Sequence, residues 1–361
     1  MASATIPVQP KKKRFWRIVK RIVQVVFILV VACAILGAAY QAIGNWRDGR
    51  RFPQEGRSVA LDAEFPNETL SINCSGQGSP TVILDSGLGV PAVGWDSAQA
   101  EIAKFARVCS YDRAGYGWSS AGPMPRTSSE IAKELHALLA ASGEKGPYVL
   151  VAHSFGGFNV RVYTSKYPED VAGLVFVDTS HEDQASRMPP TLQKMMKDAT
   201  AQLETQRKLA RIMIFFGIAR LTANDEGMTK MSKEFRDKVN YLQLQTKFVD
   251  ATMGEVKSFS ESADEVRAAG NLGDRPLVVL TAGKEVDAKD LPKGVSLKEM
   301  GEFHKVWVND LQMQLVRLST RGKQIVVPDS THMIPLERPD AVTSAVREVC
   351  EAVKNPATTK P

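Results

Sequence analysis

The chain reads as an α/β protein, a mostly parallel sheet with helices on both faces. Two observations predict this. Short apolar runs alternate with amphipathic stretches of helix length from about residue 69 to residue 178, and the same alternation returns between about 276 and 353. Glycine-rich turns follow several of the apolar runs, where open parallel sheets receive ligands. In order, Thr69–Cys74 alternates polar and apolar residues, as a half-exposed strand does. Thr81–Leu84 reads as a buried strand running into Asp85-Ser86-Gly87-Leu88-Gly89. Trp95–Ala106 has helical spacing, and Arg107–Tyr111 is the next strand. Thr127 or Ser128 caps a helix through Ala141 with Ile131, Leu135, Leu138 and Leu139 on one face. Strands Val149–His153 and Gly173–Val177 follow, and the latter ends at Asp178.

From about 181 to 270 only helical periodicity is present, which predicts a helical cap over the strand ends. Leu209–Leu221 is its most apolar segment. We read it as a buried cap helix rather than a membrane contact, and as a hint of an apolar substrate. Strand Pro276–Leu280, a helix from about Lys298 to Ser319, strand Gln324–Val327 and a helix from about Pro339 to Val353 complete the pattern.

The amino terminus has its own character. Ile22–Ile43 is 22 residues without a charge, long enough for a helix to cross a bilayer core of about 30 Å. Residues 1–51 hold ten Lys and Arg against one acid, Asp48; the remainder has 36 basic and 39 acidic side chains. The net charge of +6 is therefore a property of the terminus, and a basic nucleic-acid surface is not indicated. The excess of cations before the span predicts a cytoplasmic N-terminus and an exported domain. A signal peptide cleaved near Ala32-Cys33-Ala34 or Gly37-Ala38-Ala39 is the alternative, and it too exports the domain. The expected boundaries are a basic N-terminus (1–21), a transmembrane helix (22–43), a linker (44–64), a core (65–180 and 270–353), a cap (181–269) and a disordered tail (354–361).

Chemistry centres on Ala152-His153-Ser154-Phe155-Gly156-Gly157, a strand end, a serine and two glycines ahead of a helix. This is the pattern of a nucleophile elbow, in which small residues two before and two after the serine let strand and helix approach. Taken with Asp85–Gly89, Tyr111-Asp112-Arg113-Ala114-Gly115-Tyr116-Gly117 and Asp329-Ser330-Thr331-His332 near the end, it resembles the α/β-hydrolase family over about residues 65–353. The resemblance implies an eight-stranded sheet with the cap inserted after the sixth strand. It also implies a serine hydrolase, esterase- or lipase-like, with Ser154 as nucleophile and His332 as base. For the acid that orients His332 it offers two positions. Asp178, after the sixth strand, is preferred; Glu285, after the seventh, is the alternative, with Asp287 a distant third. The backbone amides of Leu88 and Phe155 are the expected oxyanion donors. Asp112 and Arg113 are expected to be structural. A serine at the elbow argues against the dehalogenase and epoxide-hydrolase branches, which use aspartate there.

In this fold the second strand lies beside the fourth, so Cys74 and Cys109 are candidates for a disulfide. No metal cluster or nucleotide motif stands in the sequence, so no cofactor is implied. The expected substrate is a small acyl compound, an ester for preference. A thioester, an amide or peptide, or a carbon–carbon bond are the alternatives on the same machinery, and an inactive binding protein is the alternative of another class. The sequence leaves the oligomeric state open.

Overall fold

The computed structural model describes residues 11–61, 64–223, 228 and 231–355. Eight strands form one sheet: β1 (Arg57–Ala60), β2 (Thr69–Ser75), β3 (Thr81–Asp85), β4 (Val108–Asp112), β5 (Tyr148–His153), β6 (Val171–Val177), β7 (Leu277–Ala282) and β8 (Gly322–Val327). Their order is β1-β2-β4-β3-β5-β6-β7-β8. β2 runs antiparallel to both β1 and β4, and every other pair is parallel.

The helices are α1 (Lys11–Arg51), α2 (Asp96–Ile102), α3 (Ser128–Ser142), α4 (Gly156–Lys166), α5 (Gln184–Arg187), α6 (Pro190–Phe215), α7 (Ile218–Thr222), α8 (Lys233–Gln243), α9 (Thr246–Lys257), α10 (Phe259–Ala268), α11 (Leu297–Val306), α12 (Gln312–Val316), α13 (Ile334–Glu337) and α14 (Pro339–Lys354). Because strand residues alternate between faces, the central strands supply two cores. Ile83, Leu150, Leu174, Phe176 and Val279 pack with α3, α4, α10 and α12. Val82, Leu84, Val149, Val151, Val175 and Leu280 pack with α2 and α14. Thr127 caps α3 by accepting from the Glu130 amide, and Gly143 ends it at φ 74°.

Three sequence expectations need correction. Residues 44–64 are not a linker: α1 continues to Arg51, and Arg57–Ala60 is the edge strand β1. The polar end of α1 stays helical because it finds partners on the cap. Gln41 donates to the Leu244 carbonyl and Arg51 pairs with Asp237. β1 was hard to see because only Val59 of its four residues is buried. Second, α10 lies inside the range assigned to the cap but packs in the core. Phe259, Ala263 and Val266 form one stripe, and the Phe259 ring lies 5.7 Å from Phe155 and 5.2 Å from Phe158. Third, Leu209–Leu221 is not buried. Leu209, Ile212, Phe215, Ile218 and Leu221 are all exposed, and of its large apolar side chains only Ile214 is fully covered. The tail expected from 354 lies outside the described residues except for Lys354 and Asn355.

Candidate active site

The site is built at the carboxyl ends of β5, β6 and β7, with a contribution from the loop after β8. Ser154 follows β5 directly and sits at φ 51°, in the left-handed region that costs a non-glycine residue about 1–3 kcal/mol. The turn is held by the Ser154 carbonyl, which accepts from the amides of Gly157 and Ser180, both at 3.0 Å. Gly156 has to be glycine: a Cβ there would stand 2.8 Å from the Asp85 carbonyl oxygen and 2.9 Å from that of Ser86. Strand β3 and helix α4 thus meet without an intervening side chain, and Ser154 is pushed to the apex.

His332 Nε2 lies 2.9 Å from Ser154 Oγ, and His332 Nδ1 lies 2.6 Å from Asp178 Oδ2. Asp178 is buried, and it too is at positive φ, 46°. Its other oxygen accepts from Trp307 Nε1 at 2.8 Å and from the Ala282 amide at 2.9 Å. Burial pushes the Asp178 carboxyl upward, but the bonds and charge of His332, with those from Trp307 and Ala282, outweigh it and hold the group below its ordinary value. Burial likewise pulls His332 down, and Asp178 outweighs it, so the imidazole is held above its usual 6.5. Ionised Asp178 therefore fixes the His332 proton on Nδ1 and leaves Nε2 free to accept from Ser154.

Glu285 stands at the rim of the same cavity, exposed, and no hydrogen bond joins it to His332. Asp287 also lines the cavity and is exposed.

The loop after β3 lies against the elbow. A Cβ on Gly87 would approach Ser154 Cβ to 3.1 Å. Among the described residues, neither the Leu88 nor the Phe155 amide donates to another group, whereas the next two are spoken for: Gly89 donates to Tyr116 Oη and Val90 to the Gly87 carbonyl. Arg113 braces this loop from below, donating to the carbonyls of Ser86 (2.6 Å) and Gly87 (3.0 Å) while pairing with Asp85 and Glu255. All three charged groups are sealed from solvent.

Sequence reasoning missed three contributors. Trp307 opens a π turn, Trp307–Leu311, between α11 and α12, and no local pattern marks it as a partner of Asp178. Glu337, five residues after His332, accepts from the Thr331 amide at 2.7 Å and steadies the histidine loop. His153 supports the histidine loop: its Nε2 is 2.9 Å from the His332 carbonyl, and the two rings are 4.8 Å apart. A carbonyl only accepts, so His153 carries its proton on Nε2; burial, with a smaller contribution from His332, pushes it down to about 3 and keeps it neutral. His181 is buried and bonded to the Asp183 amide, away from the cavity, whereas His304 lines it. Cys74 and Cys109 are register partners on β2 and β4 and are disulfide bonded.

Ser154 and His332 open on a cavity of about 480 Å³ whose wall includes Met188, Met300, Phe303 and Trp307. A second cavity, about 670 Å³, shares Lys284, Asp287 and Thr331 with it and is walled by Val90, Val93, Phe235 and Met333.

A family model described as the alpha/beta hydrolase fold matches residues 80–242, a range that includes the elbow. The chain has the α/β-hydrolase fold. Other comparisons agree with this hydrolase fold. An AB hydrolase superfamily protein of Gibberella zeae is 23% identical over 328 residues, 84% of this chain and 97% of that one. The "Probable transporter efuK" of Hormonema carpetanum is 24% identical over 295 residues; these are 76% of this chain but only 40% of that protein's length. Among solved structures, an esterase from Thermogutta terrifontis superposes with a TM-score of 0.55 at 24% identity, covering 82% of this chain and 98% of that one.

Proposed function

We propose that the protein is a membrane-anchored serine hydrolase that cleaves ester-type acyl substrates of apolar, lipid-like character. The observation that carries this reading is the unbroken chain Ser154 Oγ–His332–Asp178 at the edge of an apolar cavity. Ser154 Oγ attacks the acyl carbonyl carbon as its proton passes to His332 Nε2. The carbonyl oxygen becomes an oxyanion that the free amides of Leu88 and Phe155 are disposed to receive. Collapse breaks the bond to the leaving alcohol, which takes the proton from His332. Water then gives a proton to His332 and attacks the acyl-enzyme, releasing the acid and restoring Ser154. Asp178 stays ionised throughout and stabilises the imidazolium.

The cavity at Ser154, walled by Met188, Met300, Phe303 and Trp307, suits a substrate with an apolar group beside the scissile bond. This favours an ester over a small amide. α1 is the one helix among the described residues long and apolar enough to cross a membrane. The cations ahead of its apolar run favour a cytoplasmic N-terminus, and the Cys74–Cys109 bridge favours an oxidising compartment for the domain.

The test is a hydrolysis panel of esters, thioesters and amides graded by chain length, run on the wild type and Ser154→Ala. We expect medium or long esters to be cleaved best and Ser154→Ala to lose roughly 10⁴-fold or more in kcat. Ester hydrolysis that survives the substitution would overturn the reading.

A further inference from the structure

The cap carries an apolar surface that its own fold leaves uncovered. Leu209, Ile212 and Phe215 project from the end of α6 at three-residue spacing, and Ile218 and Leu221 continue the series on α7. Their exposures are 55%, 52%, 60%, 43% and 71%. Single exposed apolar residues are ordinary; five within thirteen positions form a patch of the kind that marks a binding surface.

What covers the patch follows from its neighbour. The turn between α6 and α7 touches α1 within its apolar run. A Cβ on Gly37 would lie 2.3 Å from the Phe216 carbonyl oxygen, and one on Gly217 would lie 2.9 Å from both the Gly37 carbonyl oxygen and the Tyr40 ring. Gly37 is six residues before Ile43, where the apolar run gives way to Gly44 and Asn45. At 1.5 Å per residue the turn therefore sits roughly 9 Å inside that end. Helices that lie in a membrane surface bury their apolar side by about 5–10 Å, the same depth. Side chains of α1 near this level, Ile35, Leu36 and Ile43, are also exposed. The junction is fastened just above it, where Arg220 pairs with Asp48 and donates to Gln41 and Asn45.

We propose that the tip formed by the end of α6 and by α7 lies in the lipid interface beside α1, so that the cap is seated on the bilayer by its own side chains. This rests on the reading of α1 as a membrane anchor. A cap held at that depth would present the adjoining cavities to acyl chains at the membrane surface rather than to solutes in bulk water.

The experiment uses the full chain with Cys33→Ala, reconstituted into vesicles of phosphatidylcholine and phosphatidylglycerol. An environment-sensitive fluorophore is attached to one introduced cysteine at a time: Phe215→Cys, Leu221→Cys, the exposed polar-face control Lys197→Cys, and Leu29→Cys as a reporter of the anchor. We expect the labels at 215 and 221 to shift to the blue and to lose most of their emission to lipids spin-labelled near the headgroup. The label at 197 should stay unquenched, and the one at 29 should be quenched by lipids labelled in mid-chain. If 29 is deep while 215 and 221 behave like 197, the cap is not in the membrane and the anchor stands. Labels at 215 and 221 that shift blue without lipid quenching would mean that protein covers the patch, which also overturns the proposal. If 29 itself reports water, the anchor reading fails and the proposal falls with it.

Discussion

Asp178 and Glu285 stand at the ends of adjacent parallel strands, and either position suits the acid behind His332. Their surroundings differ in every respect that matters to a proton-holding group. Asp178 is buried, its backbone is fixed by its own amide donating to the Leu280 carbonyl at 2.7 Å, and three donors converge on its short side chain. Glu285 lies three residues beyond β7, exposed, on a longer side chain that no hydrogen bond or ion pair holds among the described residues. On the proposed reading, proximity to a strand end does not by itself make a triad acid. What makes one is a set of donors from other elements that keeps the carboxylate ionised while it is buried.

The contrast can be broken by experiment. The largest expected effect is on Asp178→Asn, which keeps the shape but removes the charge. It should lower kcat by roughly 10³- to 10⁴-fold, with a smaller change in KM. The same variant should move the acid limb of the rate profile. His332 must be neutral to accept the Ser154 proton, so kcat/KM should rise as pH climbs through its pKa, which Asp178 holds above 6.5. Removing that carboxylate should shift the limb to lower pH; an unmoved limb would detach Asp178 from His332. Next in size is Trp307→Phe, which retains a ring in the cavity wall but deletes one donor to Asp178. We expect kcat to fall about 10- to 150-fold, in line with the loss of one hydrogen bond to a charged group of about 1.5–3 kcal/mol. The smallest effect belongs to Glu285→Gln, expected within about threefold of wild type and with the limb in place, as is usual for an exposed, unbonded side chain. A reversal, with Glu285→Gln dead and Asp178→Asn active, would show that the loop after β7 closes over the site during the reaction.

The order of legibility follows the range of the interactions. The elbow, the loop at Gly87 and the histidine after the last strand are local patterns, and the sheet follows from alternation along the chain. Ser154 and His332 are nameable as candidates for that reason. The partners of Asp178 are not local. Trp307 arrives 129 residues later through a π turn that no periodicity announces, and the Ala282 amide comes from the next strand in the sheet. The preference for Asp178 rested on its place at a strand end, without these donors in view. The cap shows another limit. Apolar spacing in Leu209–Leu221 says that the face avoids water but not whether protein or lipid covers it, and the reading as a buried helix chose protein. The stretch after Ile43 was read as a linker because its residues are polar. Their partners, such as Arg220 for Asp48, lie on the cap and cannot be paired by inspection.

The central claim is that Ser154 is a nucleophile activated by His332. Its most direct test is incubation of the full-length protein with a fluorophosphonate, followed by mass mapping of the modified peptide. The account predicts one adduct, on Ser154, formed faster as pH rises through the His332 titration and absent from Ser154→Ala. No adduct on the wild type, or the same labelling in Ser154→Ala, would contradict it.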